Sequence, residues 1–179
     1  MKFVYTLLIL LCIGSNLQAQ IKNIGDEMLV EKIKRSDKNY KLIYIFCNYC
    51  LSSQTRYPEV VKATENNKDV EVFFICAQDS SEIALYADTC KVASAMYLIN
   101  QHRKRKLVSF YNPIKVTCKY LKKQLGVNSD KMGASDFCIL NKDNKIISQT
   151  NWEMKDAEYF KLLKESLSAT VPCRLCEVK

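Results

Sequence analysis

Lys41-Leu42-Ile43-Tyr44-Ile45-Phe46-Cys47-Asn48-Tyr49-Cys50 is the stretch on which the reading of the fold turns. Leu42 to Phe46 is a short, unbroken apolar run rich in β-branched and aromatic residues, which predicts a strand buried on both faces. A Cys-x-x-Cys follows it without a gap. Two cysteines three apart can close a small disulfide ring across the first turn of a helix. A helix beginning there would lend its free N–H groups and its dipole to Cys47, lowering the thiol pKa and making that sulfur a nucleophile. A second Cys-x-x-Cys, Cys173-Arg174-Leu175-Cys176, lies within the last seven residues, after Pro172. It has no strand in front of it.

Working outward, Val70-Glu71-Val72-Phe73-Phe74-Ile75-Cys76-Ala77 is the next β-branched and aromatic run, and Asn66-Asn67-Lys68-Asp69 before it is turn-forming. The segment between the two runs is helical through about Asn66, with Pro58 predicting a kink or a fresh start near Tyr57. The result is a βαβ unit whose two strands are parallel, because the helix supplies the crossover that parallel pairing needs. On the amino-terminal side, Ile21, Ile24, Met28 and Ile33 recur at roughly helical spacing and predict a short helix from about Asp26 to Arg35. On the carboxyl side, a long helix is expected over residues 81–101 and a strand over residues 107–111. A helix opened by Pro113 then ends at Gly126. Asn141-Lys142-Asp143-Asn144 separates two apolar runs and reads as a hairpin turn, followed by a last helix from Met154 to Ser168.

The order βαβ, helices, ββα, with a Cys-x-x-Cys at the end of the first strand of the βαβ, resembles the thioredoxin-like fold. The likeness is greatest to the exported TlpA and ResA type of thiol-disulfide oxidoreductase. Its residues are Lys41 to Cys50, Asp69 to Ile75, and Asp136-Phe137-Cys138-Ile139-Leu140-Asn141-Lys142-Asp143-Asn144-Lys145-Ile146-Ile147. The resemblance implies an α/β protein with a thioredoxin-like three-layer fold, a central mixed sheet with helices on both faces. It also implies that Cys47 is the attacking and Cys50 the resolving cysteine. Phe46 stands where the family usually has tryptophan, and Asn48-Tyr49 replaces the pair usual between the cysteines. Ala134-Ser135 falls on the position of the family's cis-proline, which shapes the substrate groove. A non-proline cis bond costs about 2.5–4 kcal/mol, so a trans bond and a remodelled groove are expected there. Lys41 occupies the place of a buried acid found six residues before the first cysteine in many thioredoxins, so no carboxylate is assigned as a base.

The chain has 179 residues and a formal net charge of +8. Residues 1–20 read as a secretory signal: Lys2 gives the charge, Phe3 to Ile13 the apolar segment and Leu17-Gln18-Ala19 the cleavage site. Cys12 follows the bulky Leu11, which argues against lipid attachment there. Export follows, periplasmic rather than extracellular by the resemblance, with no stable membrane span. Residues 21–170 form one expected domain and residues 171–179 a tail. The basic run His102-Arg103-Lys104-Arg105-Lys106 reads as a solvated helix end rather than a nucleic-acid surface.

Of nine cysteines, Cys12 lies in the signal segment and eight remain, an even number suited to an oxidising compartment. Cys76 and Cys138 lie in apolar strands and read as core. Cys90 and Cys118 lie on separate expected helices, and sequence alone leaves their pairing open. Cys173 and Cys176 admit a terminal disulfide, a second redox pair, or zinc binding with two further ligands. No metal or other cofactor belongs to the leading reading: an exported thiol-disulfide oxidoreductase acting on disulfide-containing exported proteins, with a redox partner protein. Its alternative is a redox-silent thioredoxin-like binding module with a structural disulfide at Cys47 and Cys50. A hydrolase triad is poorly supported, because the single histidine, His102, sits inside the basic run.

Overall fold

The computed structural model describes residues 21–24, 26–76, 96–99 and 113–168. Its strands are β1 (Ile21–Ile24), β2 (Tyr40–Phe46), β3 (Val70–Cys76), β4 (Met96–Ile99), β5 (Phe137–Asn141) and β6 (Ile146–Gln149). The helices are α1 (Asp26–Arg35), α2 (Leu51–Thr64), α3 (Pro113–Leu125) and α4 (Asp156–Ser168). They build one mixed sheet in the order β1-β4-β3-β2-β5-β6. β1, β4, β3 and β2 run parallel, whereas β5 pairs antiparallel with β2 and β6 antiparallel with β5.

The period-two alternation of β2 divides the core into two layers. Leu42, Tyr44 and Phe46 pack with Tyr57 and Val60 of α2 and with Tyr159, Leu163 and Leu167 of α4. Ile43 and Ile45 face the other side, against Leu29, Val30 and Ile33 of α1 and Leu121 and Leu125 of α3. Helices therefore cover both faces, which is why β2 needs an apolar side chain at almost every position. Tyr57 anchors the first layer, with its ring 5.1 Å from Phe46 and 4.8 Å from Phe74 in edge-to-face contacts.

Three expectations need correction. α2 passes through Pro58 as one helix, so the alternative of a fresh start near Tyr57 is not realised; the fully buried Tyr57 and Val60 hold it across the missing N–H. The expected helix over residues 81–101 contains strand β4 near its end, while the remainder of that segment lies outside the described residues. Met96 to Ile99 is a run of four apolar residues, too short for periodicity to separate a buried strand from a helix turn, and pairing with β3 and β1 decides it. β1 was not expected, because Ile21 to Ile24 gains its strand partner only from β4. The expected strand over residues 107–111 lies outside the described residues.

The late hairpin forms as expected. Asn144 takes the left-handed conformation at φ 62° and donates its N–H to Asn141 O at 3.0 Å. Gly126 ends α3 at φ +74°, where its N–H reaches Lys122 O at 3.0 Å. Cys76 and Cys138 are core residues, as the sequence implied, and Cys118 joins them with a free thiol donating to Met132 O at 3.2 Å. Burial pushes the Cys118 and Cys138 thiols up to about 12, so neither ionises near neutral pH.

Candidate active site

β2, β3 and β4 are parallel, so their carboxyl ends share one edge of the sheet, the usual place for chemistry in such folds. Cys47 follows the last residue of β2 at that edge. The chain reverses immediately: Cys50 N–H donates to Cys47 O at 3.2 Å, closing a turn over Asn48 and Tyr49. Such a turn holds its outer Cα atoms within about 7 Å, the range a disulfide can bridge. Both thiols are free.

α2 begins at Leu51, after the Cys-x-x-Cys and not at its first cysteine. Cys50 is its N-cap, with φ −96° and ψ 115°, and its carbonyl accepts the N–H of Gln54 at 3.1 Å as the first bond of the helix. Cys47 therefore lies in the preceding turn and not at the helix start. The residue is only 6% exposed. Burial pushes the Cys47 thiol pKa up; the N–H groups of Tyr49 and Cys50 pull it down, and the neighbouring Cys50 sulfur works against them. The expected exposed, easily ionised Cys47 is thus not what folds. The physical reason is that Cys47 continues directly from β2 and is buried with the strand end, where removal from water disfavours the thiolate.

Cys50 is partly exposed and is flanked by Tyr49 and Leu51, at 72% and 73% exposure. Ser53 lies one turn into α2 on the inner side. It is fully buried; its Oγ accepts the N–H of Cys47 at 3.3 Å, and its carbonyl accepts the Tyr44 hydroxyl at 3.3 Å. The first turn of α2 is thereby tied back onto β2.

Ala134 and Ser135 form the loop facing this turn. No cis peptide bond occurs among the described residues, so the bond at Ser135 is trans, as expected. Ser135 adopts φ 71° and donates its N–H to Ile45 O at 2.8 Å, two residues before Cys47. Ile45 returns its own N–H to Asp136 O at 3.0 Å. The Tyr159 hydroxyl donates to Ser135 O at 2.9 Å. A backbone path that proline would fix in other chains is here fixed by hydrogen bonds.

Arg56 completes that scaffold and was not foreseen. Its side chain is 7% exposed, lies 4.3 Å from the Tyr159 ring centre, and donates to Ser135 Oγ at 3.4 Å, Met154 O at 3.0 Å and Asp156 Oδ1 at 2.8 Å. The signal for it was present: Ser53, Arg56, Tyr57, Val60 and Thr64 recur at helical spacing as the buried stripe of α2. Asp136 was also missed. Fully buried, it accepts the Gly133 N–H at 2.8 Å through Oδ2, while Oδ1 has no hydrogen-bond partner among the described residues. Burial raises its pKa to about 6, against the opposing pull of the Gly133 N–H, Thr150 and Arg56.

Lys41 takes no part in the site. Its side chain is covered, but Nζ reaches the hairpin turn, donating to Asn144 Oδ1 at 2.8 Å and to Lys142 O at 3.1 Å. Burial lowers its pKa, with Asp143 and Glu71 opposing. Cys173 and Cys176 lie outside the described residues, as do the signal segment, Cys90 and the basic run. Among the described residues, no group of three or more His, Cys, Asp or Glu side chains could hold a metal ion.

No family model matches the chain, and no curated protein matches it either. Solved structures do. The thioredoxin domain of a thiol-disulfide oxidoreductase from Bacteroides vulgatus has a TM-score of 0.50 at 10% identity, covering 72% of this chain and 79% of that one. A thioredoxin-related protein from Neisseria meningitidis serogroup B gives 0.50 at 12% identity, covering 76% and 90%. A thioredoxin-like protein solved in its oxidised form gives 0.52 at 10%, covering 74% and 80%. At these identities the likeness is one of fold, and it agrees with the sheet order and the two helical layers: the chain has the thioredoxin-like fold.

Proposed function

We propose that this protein is an exported thiol-disulfide oxidoreductase whose working group is the Cys47–Cys50 dithiol. The observation that carries the reading is the single turn, closed by the Cys50 N–H on Cys47 O, that places two free thiols at the carboxyl end of the parallel strands. Oxidation joins the two sulfurs and passes two electrons to a disulfide in another protein, which leaves as two thiols. A dithiol reductant of the same compartment returns the electrons. The signal-like residues 1–20 support export, and no helix of the described residues is long and apolar enough to cross a membrane. Residues 21–170 make the working domain, and disulfide-containing exported proteins are its partners.

The test is a redox titration of the purified protein in glutathione buffers, with peptide mapping of alkylated thiols. Cys47 and Cys50 should convert together into one disulfide, and the reduced protein should speed reduction of a protein disulfide beyond dithiothreitol alone. If neither occurs, the turn is a structural element and the reading fails.

A further inference from the structure

We infer that Cys173 and Cys176 form a second exchanging pair, which meets the Cys47–Cys50 dithiol at the carboxyl edge of the sheet and carries its electrons out to the partner disulfide. This rests on the oxidoreductase reading above and names the carrier between its site and its partner. Both cysteines lie outside the described residues. Their spacing, Cys-x-x-Cys, is the one the site itself uses. What the fold supplies is the distance to be crossed. α4 has 13 residues and is therefore about 20 Å long. Its first residue stands at the site: Asp156 Oδ1 accepts Arg56 Nε at 2.8 Å, and the same guanidinium donates to Ser135 Oγ at 3.4 Å, in the loop that faces the cysteine turn. Its last residue, Ser168, is thus about one helix length away. Cys176 follows eight positions later, and eight residues span up to about 26–29 Å. The chain is long enough to return along α4 and bring Cys176 to Cys47.

Burial decides which sulfurs the tail pair can meet. Cys76, Cys118 and Cys138 are core residues at 1%, 2% and 0% exposure, and burial holds the last two thiols up at about 12. Among the described cysteines only Cys50 is partly exposed, and Cys47 at the other end of its turn is enclosed at 6%. A folded partner has to bring its disulfide into line with the Cys47 sulfur, and a residue so covered leaves little room for it. A single tethered strand is slimmer and stays close, at an effective concentration on the order of millimolar. Direction follows from the same burial, which raises the Cys47 thiol. A dithiol whose thiolate is disfavoured is the readier electron donor, whereas Arg174, between the tail cysteines, favours the thiolate there and makes that pair the acceptor.

The chemistry balances as successive exchanges. Cys47 thiolate attacks Cys176 Sγ of the tail disulfide; the Cys47–Cys176 bond forms, and Cys173 leaves as a thiolate that takes up a proton. Cys50 gives up its proton and attacks Cys47 Sγ; the Cys47–Cys50 bond forms and Cys176 leaves as a thiolate. The tail dithiol then reduces the partner disulfide by the same two steps, Cys176 attacking and Cys173 closing the ring, so that two electrons pass from the site to the partner. A dithiol of the compartment, for which dithiothreitol serves in the tube, reduces Cys47–Cys50 again.

The experiment uses the full chain, with insulin as the disulfide probe and dithiothreitol as the donor. Cys173→Ser combined with Cys176→Ser alters no residue of the two packed layers. It should slow insulin reduction about tenfold or more at about 0.1 mM insulin, since direct exchange then replaces a tethered step at about millimolar. The same variant should still close the Cys47–Cys50 disulfide in glutathione buffers. A trap reads the contact itself: Cys50→Ser combined with Cys173→Ser leaves Cys47 and Cys176, which should join within one chain at a yield independent of protein concentration. Insulin reduction at the wild-type rate without the tail cysteines overturns the relay, and so does a Cys176 that joins Cys90, glutathione or a second chain in place of Cys47. Either result spares the oxidoreductase reading. That reading falls instead if the wild type reduces insulin no faster than dithiothreitol alone while Cys47–Cys176 still forms in the trap.

Discussion

Replacing Asp136 by asparagine should change how the stability of the protein depends on pH. The carboxyl is fully buried beside the loop that carries Ser135, and its pKa rises from 3.8 to about 6 because burial disfavours the charged form. The fold therefore binds a proton more readily at this site than the unfolded chain does. That stabilisation is fully present below 3.8 and is lost as pH rises through about 6. The gap between the two values corresponds to roughly 3 kcal/mol across the whole window. Between about pH 7.5 and about pH 5 the share released is roughly 1–2 kcal/mol, since the folded carboxyl is then mostly protonated and the unfolded one is not. Asparagine keeps an acceptor for the Gly133 N–H but cannot titrate. Urea unfolding of wild type and Asp136→Asn across this range isolates the site, because every other carboxyl is common to both. Wild type should gain roughly 1–2 kcal/mol on the variant as the pH falls. A difference that stays constant with pH would show that the carboxyl is hydrated in the fold, and the account of the loop would be wrong.

Two further substitutions probe the scaffold opposite the cysteines. Ser135→Pro should destabilise by about 3 kcal/mol or more, since proline requires φ near −65° and removes a buried N–H donor. The loop has φ 71° and uses that N–H on Ile45 O at 2.8 Å. Ser135→Gly, which accepts the left-handed conformation, should stay within about 1 kcal/mol of wild type by the same unfolding assay. A proline variant as stable as the parent would mean that the loop readily takes another path. Arg56→Met should cost about 2–4 kcal/mol, by loss of charge-assisted bonds to Ser135 and Met154. Asp156→Asn should cost less than about 1 kcal/mol, because Asp156 is solvent-exposed and its ion pair is screened. Equal losses in the two variants would show that the ion pair, and not the bridge to the loop, is what Arg56 supplies.

Much of the fold was legible in the chain because its signals are local. The apolar run Leu42 to Phe46, the turn residues Asn141 to Asn144 and the helix stop at Gly126 each declare themselves within a few residues. β1 and β4 did not, because four-residue strands carry too little pattern and exist through their mutual pairing. The site divided in the same way. Cys47 and Cys50 were visible from spacing, but which of them faces solvent depends on where α2 starts, and a shift of a few residues at a helix terminus exchanges their environments. Arg56 and Asp136 acquire their roles from partners about 80 to 100 positions away or from complete burial. No sequence window contains such information.

The sequence by itself determined the βαβ unit, the late hairpin and the placement of two cysteines at the end of a buried strand, since hydrophobic periodicity and turn chemistry act between near neighbours. Tertiary structure alone decided that Cys47 is enclosed, that Cys50 caps α2, and that hydrogen bonds from Ile45, Arg56 and Tyr159 fix the loop where a proline is absent. Burial and long-range hydrogen bonding set the ionisation and reach of a thiol, and both come into being only when distant segments pack.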